Sequence, residues 1–423
     1  MKRLHAPTTQ APAQRGLTLI ELMVALLIGS IMSLAIFGVL STFEGRKRTT
    51  TAVNDASQAG NYALYVVDRL VRSAGSGLSQ GGPQPRETET RKAMAYGCRL
   101  LVTQGGTQLW PRATALPAPF GNLDTGTAGT LRLAPVIIAP SQSEGLGIND
   151  EPSDLLVVMS GAGGWAEVPL LMTAAVAANT VPLRNTVGLG VGDLLVLADQ
   201  PSSLGQAEDC MVQQVGSLTA TSAGLSGTYA AATIAGVSQA IYDNNSMAMK
   251  IGHRTDNRPS FFALGVGAGA TLMSYDLLEV RSPALQAVAE NVLELHALYG
   301  IDADGDGAVD DWIDPRTTTT GAYAMANLMS GTTAAAAAIN QIKALRIGLV
   351  LRSSLQEKAD DAAANPFTPG NTLTLFADVD GGAHTRTRTL DTATGEHRFR
   401  YRVVEATVPV RNSMLIPALP TSP

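Results

Sequence analysis

The sequence predicts an α+β fold: a long N-terminal helix whose first half crosses a membrane, packed on a β-sheet-rich globular domain with long loop insertions. Three observations carry this reading. The run from Leu22 to Leu40 holds no charged residue; apolar residues then recur at steps of three and four as far as Ala74; and from Tyr96 onward short apolar runs alternate with Gly, Pro, Asn and Asp.

Nineteen uncharged residues at about 1.5 Å rise nearly cover a hydrocarbon core of about 30 Å, so Leu22 to Leu40 reads as a membrane span. A buried core helix is the alternative, but such helices keep a polar face and this run is apolar all round. Glu21 is the anomaly, a carboxylate at the very start of the run that calls for a partner, because an isolated charge in lipid costs on the order of a few kcal/mol. A secretory signal peptide fits poorly, since its apolar region is shorter, about 7–15 residues. Orientation is not set by flanking charge, because Lys2, Arg3 and Arg15 on one side are matched by Arg46, Lys47 and Arg48 on the other.

Beyond Leu40 the helix continues with Val53, Ala56, Gly60, Ala63, Val67, Leu70 and Ala74 as its apolar stripe. Asp55, Asn61, Asp68, Arg69 and Arg72 fall between these positions and stay wet. Gly75, Gly77, Gly81 and Gly82, with Pro83 and Pro85, then end it. Strands are expected over 131–138, 154–159, 193–197, 292–301, 343–351, 372–376 and 399–410. Helical interludes are expected over 283–290 and, behind a Thr cap, over 333–341. The Ala/Thr/Gly/Ser-rich stretches 173–179, 219–236 and 317–332 read as loop insertions. Along 292–301, Leu293, Leu295, Ala297, Tyr299 and Ile301 form one apolar face, with Glu294 and His296 on the other. Near the C-terminus Arg398, Arg400 and Arg402 alternate with Phe399, Tyr401 and Val403, as a solvated sheet face or a row for an acidic partner subunit or DNA.

The formal charge is −6, and removing Lys2, Arg3 and Arg15 with an N-terminal leader leaves 27 basic against 36 acidic residues. That balance does not support a basic nucleic-acid surface. The two cysteines, Cys98 and Cys210, lie on one side of the span. An oxidising compartment favours a disulfide between them, the alternative being two separate buried thiols.

Asp302, Asp304, Asp306 and Asp310 occupy relative positions one, three, five and nine of a loop with Gly307 at position six, and Ala308 offers its carbonyl at seven. This spacing is that of a calcium loop lacking its last ligand, since Ile313 stands where a glutamate is needed and Asp311 or Asp314 has to complete the shell. An acidic turn is the alternative. Catalysis has little support. Gly77-Leu78-Ser79-Gln80-Gly81 matches G-x-S-x-G but follows a helix, where a nucleophile elbow needs strand, turn and helix. His5, His253, His296, His384 and His397 show no metal spacing.

Gly16-Leu17, with Glu21 one helical turn on, resembles the signal of type IV prepilins and type II secretion pseudopilins. Further pieces are similar to PilW, the large minor pilin family of type IV pilus assembly. They are Asn61-Tyr62-Ala63-Leu64 through Arg69 to Gly75, Gly97-Cys98, Gly192-Asp193-Leu194-Leu195 with Asp209-Cys210, Tyr299-Gly300-Ile301-Asp302, Lys343 to Arg352, and Pro409-Val410-Arg411-Asn412. The resemblance implies a pilin-like fold and a non-enzymatic role in initiating pilus assembly within an inner-membrane priming or tip complex. It implies a leader over 1–16, a transmembrane half-helix over 17–43, an amphipathic half over 44–75 and a periplasmic β-rich domain over 76–423. A prepilin peptidase then cuts between Gly16 and Leu17 and methylates the new amine, and Glu21 neutralises that amine on a neighbouring subunit. The implied partners are other minor pilins, the major pilin and a tip adhesin, with nucleic acid not expected. A J-class pseudopilin of type II secretion, a DNA-uptake pilus subunit and an anchored hydrolase using Ser79 are the competing readings.

Overall fold

The computed structural model describes residues 18–78, 95–121, 123, 129–141, 153–162, 169–199, 208–279, 285–316, 321–356, 371–393 and 395–414. The chain divides into two compact units, residues 1–53 and 54–423. Helix α1 (Leu19–Ser73) runs from the first into the second. The leader with Gly16 and Leu17, and Ser79, Gly81, Gly82, Pro83 and Pro85, lie outside the described residues.

Within the second unit the helix buries Ala56, Gly60, Ala63, Val67, Val71 and Ala74. The expected stripe shifts at one place, where Val71 is fully covered and Leu70 only half-buried against the core. Asp68 and Arg72, one turn apart on the flank, pair at 2.7 Å. Gly75 ends the helix with φ +77°, a conformation that favours glycine, and donates its N–H to the carbonyl of Met159 at 2.8 Å. Two of the carbonyls that the helix end leaves open are taken by Asn412, whose Nδ2 donates to Ser73 at 3.2 Å and Ala74 at 2.9 Å.

The strands follow in chain order: β1 (Arg99–Gln104), β2 (Thr107–Trp110), β3 (Val136–Ala139), β4 (Leu155–Ser160), β5 (Leu170–Leu171), β6 (Thr180–Pro182), β7 (Asp193–Ala198), β8 (Asp209–Leu218), β9 (Ser222–Leu225), β10 (Thr233–Ile234), β11 (Val237–Ser238), β12 (Met247–His253), β13 (Ser260–Gly267), β14 (Thr271–Asp276), β15 (Leu285–Ala289), β16 (Val292–Ile301) and β17 (Asp311–Ile313). After α2 (Met325–Leu328) and α3 (Thr333–Gln341) come β18 (Ile342–Arg352), β19 (Thr372–Leu375), β20 (Arg386–Thr389), β21 (Tyr401–Pro409) and α4 (Arg411–Met414). Among the described residues they build a first sheet β2-β1-β8-β7-β12-β5, from which β9 and β6 branch, a second sheet β15-β14-β13-β4-β3, and a third sheet β17-β16-β18-β21. The third is antiparallel throughout. β10–β11 and β19–β20 form two-stranded ribbons.

The main core gathers Ala63, Val67 and Val71 of α1 with Leu100 of the first sheet, Val157 and Phe261 of the second, and Leu295 and Leu349 of the third. Side chains alternate across a strand, so neighbouring residues serve different cores. Leu101, Leu195, Leu197 and Met211 turn into a second core behind the first sheet. Leu298 and Val350 join Leu373, Leu375 and Phe376 in a third core under β19. The third sheet is thereby covered on both sides over β16, all ten residues of which are buried.

The expected strands over 154–159, 193–197, 292–301, 343–351, 372–376 and 399–410 appear with small shifts at their ends, and α3 begins behind Thr332, whose side chain accepts from Ala335 N. Three expectations are corrected. Leu285–Ala289, expected to be helical, is strand β15, whose Leu285 and Gln286 pair with Tyr275 and Ser274 of β14; an edge needing a partner outweighs the helix-start signal. Residues 219–236, expected to be loop, carry β9 and a buried Tyr229 whose hydroxyl donates to Leu278 O at 2.8 Å. Leu131 to Ala134 run extended beside Leu100 and Cys98 rather than within β3.

Gly60 packs close against Leu351 of the third sheet. A Cβ built there falls 2.0 Å from Leu351 Cδ1. Gly60→Val overpacks this contact, and the expected outcome is a destabilisation of about 1–3 kcal/mol, read as a lower midpoint in denaturant unfolding at unchanged slope.

Candidate functional site

The first unit presents its chemistry along α1. Every side chain from Thr18 to Arg48 is exposed, including Leu19, Ile20, Leu26, Leu34 and Phe37, each at least 59% accessible. The helix is long and apolar enough to cross a membrane, with a mean hydropathy of 2.5 in its apolar window. Three of its hydroxyls are turned inward on the backbone: Ser30 donates to Leu27 O at 2.9 Å, Ser41 to Gly38 O at 3.0 Å and Thr42 to Gly38 O at 2.9 Å. A hydroxyl satisfied this way is tolerable in lipid, where no water is available. Among the described residues Glu21 has no such provision for its carboxylate. It sits in the first turn, its own N–H taken by Thr18 Oγ1 at 3.3 Å, where the positive end of the helix favours an acid but does not neutralise it.

In the second unit Cys98 and Cys210 form the disulfide, with Cα atoms 5.6 Å apart across 112 residues of sequence. Leu100 pairs with Cys210 in the parallel β1–β8 ladder, and Arg99 meets Asp209 at 2.7 Å beside it. Closing a loop of this length stabilises by about 4–5 kcal/mol in the chain-entropy account.

The aspartate loop follows β16. Asp302 is buried, and its carboxylate accepts from Gly305 N at 2.5 Å and Gly307 N at 3.0 Å. Asp310 closes the loop by accepting from Ala303 N at 2.6 Å. Oxygens of Asp302, Asp304 and Asp310 lie within 4.8 Å of one another. Asp306 is not brought into that group and accepts from Ala308 N at 2.7 Å. Gly305 and Gly307 take the positive φ values, +83° and +91°, that bend the loop. Neither residue expected to complete the shell does so, because Asp314 is held by Arg316 at 3.1 Å and Asp311 lies with Asp380 and His384. Behind the loop Lys343 donates to Ser413 O at 2.8 Å; burial pushes its ammonium below the usual range, opposed by the charge of Asp302.

A buried polar network escaped the sequence reading. His296, 3.1 Å from Glu294 and 3.5 Å from Asp154, also meets Arg386 at 3.0 Å. Arg388 pairs with Glu294 and, at 2.7 Å, with Glu396. Burial pushes the Asp154 carboxyl up, but the hydrogen bond from His296 and the charges of His296 and Arg316 more than reverse this. A cavity of about 530 Å³ opens between this network and β20. The period-2 position of Glu294 and His296 was the available signal, with no sign that a second layer covers that face. The arginine row breaks up: Arg398 lies in a 3-10 turn, Glu396–Arg398, and Arg402 donates to Ser57 Oγ at 2.9 Å.

Residues 12–42 match the family model of the prokaryotic N-terminal methylation motif, a segment that contains Gly16, Leu17 and Glu21. Residues 262–412 match that of type IV pilus-assembly protein W, which takes in β16, the aspartate loop, β18 and Asn412. No curated protein and no solved structure matches the chain. The pieces around Asn61, Cys98 and Gly192 that resemble the family lie outside both matched segments. The chain thus joins a segment with the prokaryotic methylation motif at one end to a region similar to type IV pilus-assembly protein W at the other, the pairing expected of a PilW-type minor pilin.

Proposed function

We propose that the chain takes part in initiating type IV pilus assembly as a non-enzymatic member of a priming or tip complex in the inner membrane, with its β-rich unit in the periplasm. The observation that carries this reading is the exposed apolar half of α1 with an acid in its first turn that pairs with no cation among the described residues, within the methylation-motif match. A filament's first subunits make few contacts, so starting one is costly. A complex of such helices supplies the missing template, and Glu21 meets the methylated amine of a neighbour. Other minor pilins, the major pilin and a tip adhesin are the partners this assigns. The test is pilus number: a strain lacking the chain should make few filaments of ordinary length, and normal filament counts would overturn the role.

Processing follows from the same reading. Mass spectrometry of the membrane-extracted protein should find a mature N-terminus at methylated Leu17. Glu21→Ala should still insert, because it makes the segment more apolar, but should fail to restore pilus number. A mature chain beginning at Met1, or after the apolar run, would contradict it.

The proposal includes calcium at the aspartate loop, held by Asp302, Asp304 and Asp310, with the Ala308 carbonyl and water completing the oxygen set. A flexible oxygen-only loop suits calcium better than magnesium, and the ion offsets the repulsion among the carboxylates. Calcium at about a hundredfold over its dissociation constant should stabilise the chain by about 2.7 kcal/mol. The check is thermal melting of the detergent-solubilised chain in calcium and in chelator, with Asp304→Ala as the variant that loses the difference. Superimposable curves for the unaltered chain would leave the loop an acidic turn.

A further inference from the structure

A second group of ligand-type side chains stands beside the aspartate loop and is not part of it. Asp311 opens β17, while Asp380 and His384 lie in and after the turn Val379–Gly382 that follows β19. One ligand atom of each lies within 4.8 Å of the other two, and His384 Nε2 is 3.3 Å from Asp380 Oδ2. The donors come from two segments far apart in the chain, and each segment is pinned by its neighbour: Trp312, next to Asp311, packs against the third core, and Val379, next to Asp380, belongs to it. Packing thus places the two backbone segments side by side, while Asp311 and Asp380 themselves are exposed and His384 is half-buried.

The surrounding acids are already committed. Asp378 meets Arg346 at 2.8 Å, Asp314 meets Arg316 at 3.1 Å, and Asp310 holds the backbone of the loop. Among the described residues Asp311 and Asp380 have no Lys or Arg ion pair, so His384 is the single group beside them able to offset two carboxylates. Asp310 and Asp311, consecutive along an extended chain, send their side chains to opposite sides, one to each cluster.

We propose that Asp311, Asp380 and His384 form a divalent metal site distinct from the aspartate loop, selective for a borderline ion such as zinc. The imidazole nitrogen makes the difference. An oxygen-only loop suits calcium, whereas one imidazole with two carboxylates suits zinc or cobalt, and water fills the remaining positions. Bound there, the ion ties β17, the edge strand of the third sheet, to the turn beyond β19. It thereby fixes an edge otherwise available for pairing with another chain.

The test uses the full-length chain in detergent, freed of metal by chelation and titrated with zinc alone. Isothermal titration should find one tight equivalent that survives Asp304→Ala and weakens by about tenfold or more in His384→Gln and in Asp380→Asn. Zinc X-ray absorption on the unaltered chain should show one imidazole among oxygen neighbours, a readout that needs no variant to fold. No tight equivalent, a zinc shell without imidazole, or equal affinity in both variants would each overturn the site.

Discussion

One helix in this protein answers to two solvents, and its side-chain pattern changes where the solvent changes. In its first half every side chain is exposed, the run from Leu22 to Leu40 is uncharged and mostly apolar, and the hydroxyls of Ser30, Ser41 and Thr42 fold back on backbone carbonyls. That pattern fits a helix anchored in a membrane, where water is absent. In its second half a stripe of Ala, Gly and Val replaces the large residues. Small residues let the helix approach β18 closely, with Gly60 against Leu351, and the core around Val67 and Val71 joins all three sheets. The stripe therefore shares one core with residues of all three sheets of the second unit.

The third sheet then carries a burden that an ordinary half-exposed sheet does not. One face of β16 packs in the main core and the other lies beneath β19 and β20, so polar residues on it must find partners. Glu294 and His296 do so through Arg388, Arg386 and Asp154. A buried charge that loses its partner is costly, which makes these pairings strict requirements of the packing. Arg346 plays a similar part at the surface, joining Asp378 to Glu405 across the seam between the sheet and the turn after β19.

Much of this was legible in the sequence where one physical period dominates. The apolar run, the three-and-four stripe, β16, β18 and α3 with its Thr332 cap all follow from local pattern, and the two cysteines were paired by compartment chemistry alone. What could not be read depends on contacts between distant segments. β15 looked helical because its pairing with β14 is invisible locally, and 219–236 looked like filler because small residues suit both loops and tightly paired strands. In the aspartate loop the spacing located Asp302, Asp304 and Asp310. It did not show that Asp306 turns to a backbone N–H, nor that Asp311 belongs with Asp380 and His384.

The central claim is that Glu21 carries a charge meant for another subunit's amine. Treating membranes with an apolar carbodiimide, which joins a carboxyl to a nearby amine without a spacer, tests it directly. Mass spectrometry should then recover a peptide in which Glu21 is amide-bonded to the N-terminal residue of a neighbouring pilin. Recovery of Glu21 modified only by reagent, in membranes where other acids do form cross-links, would contradict the account.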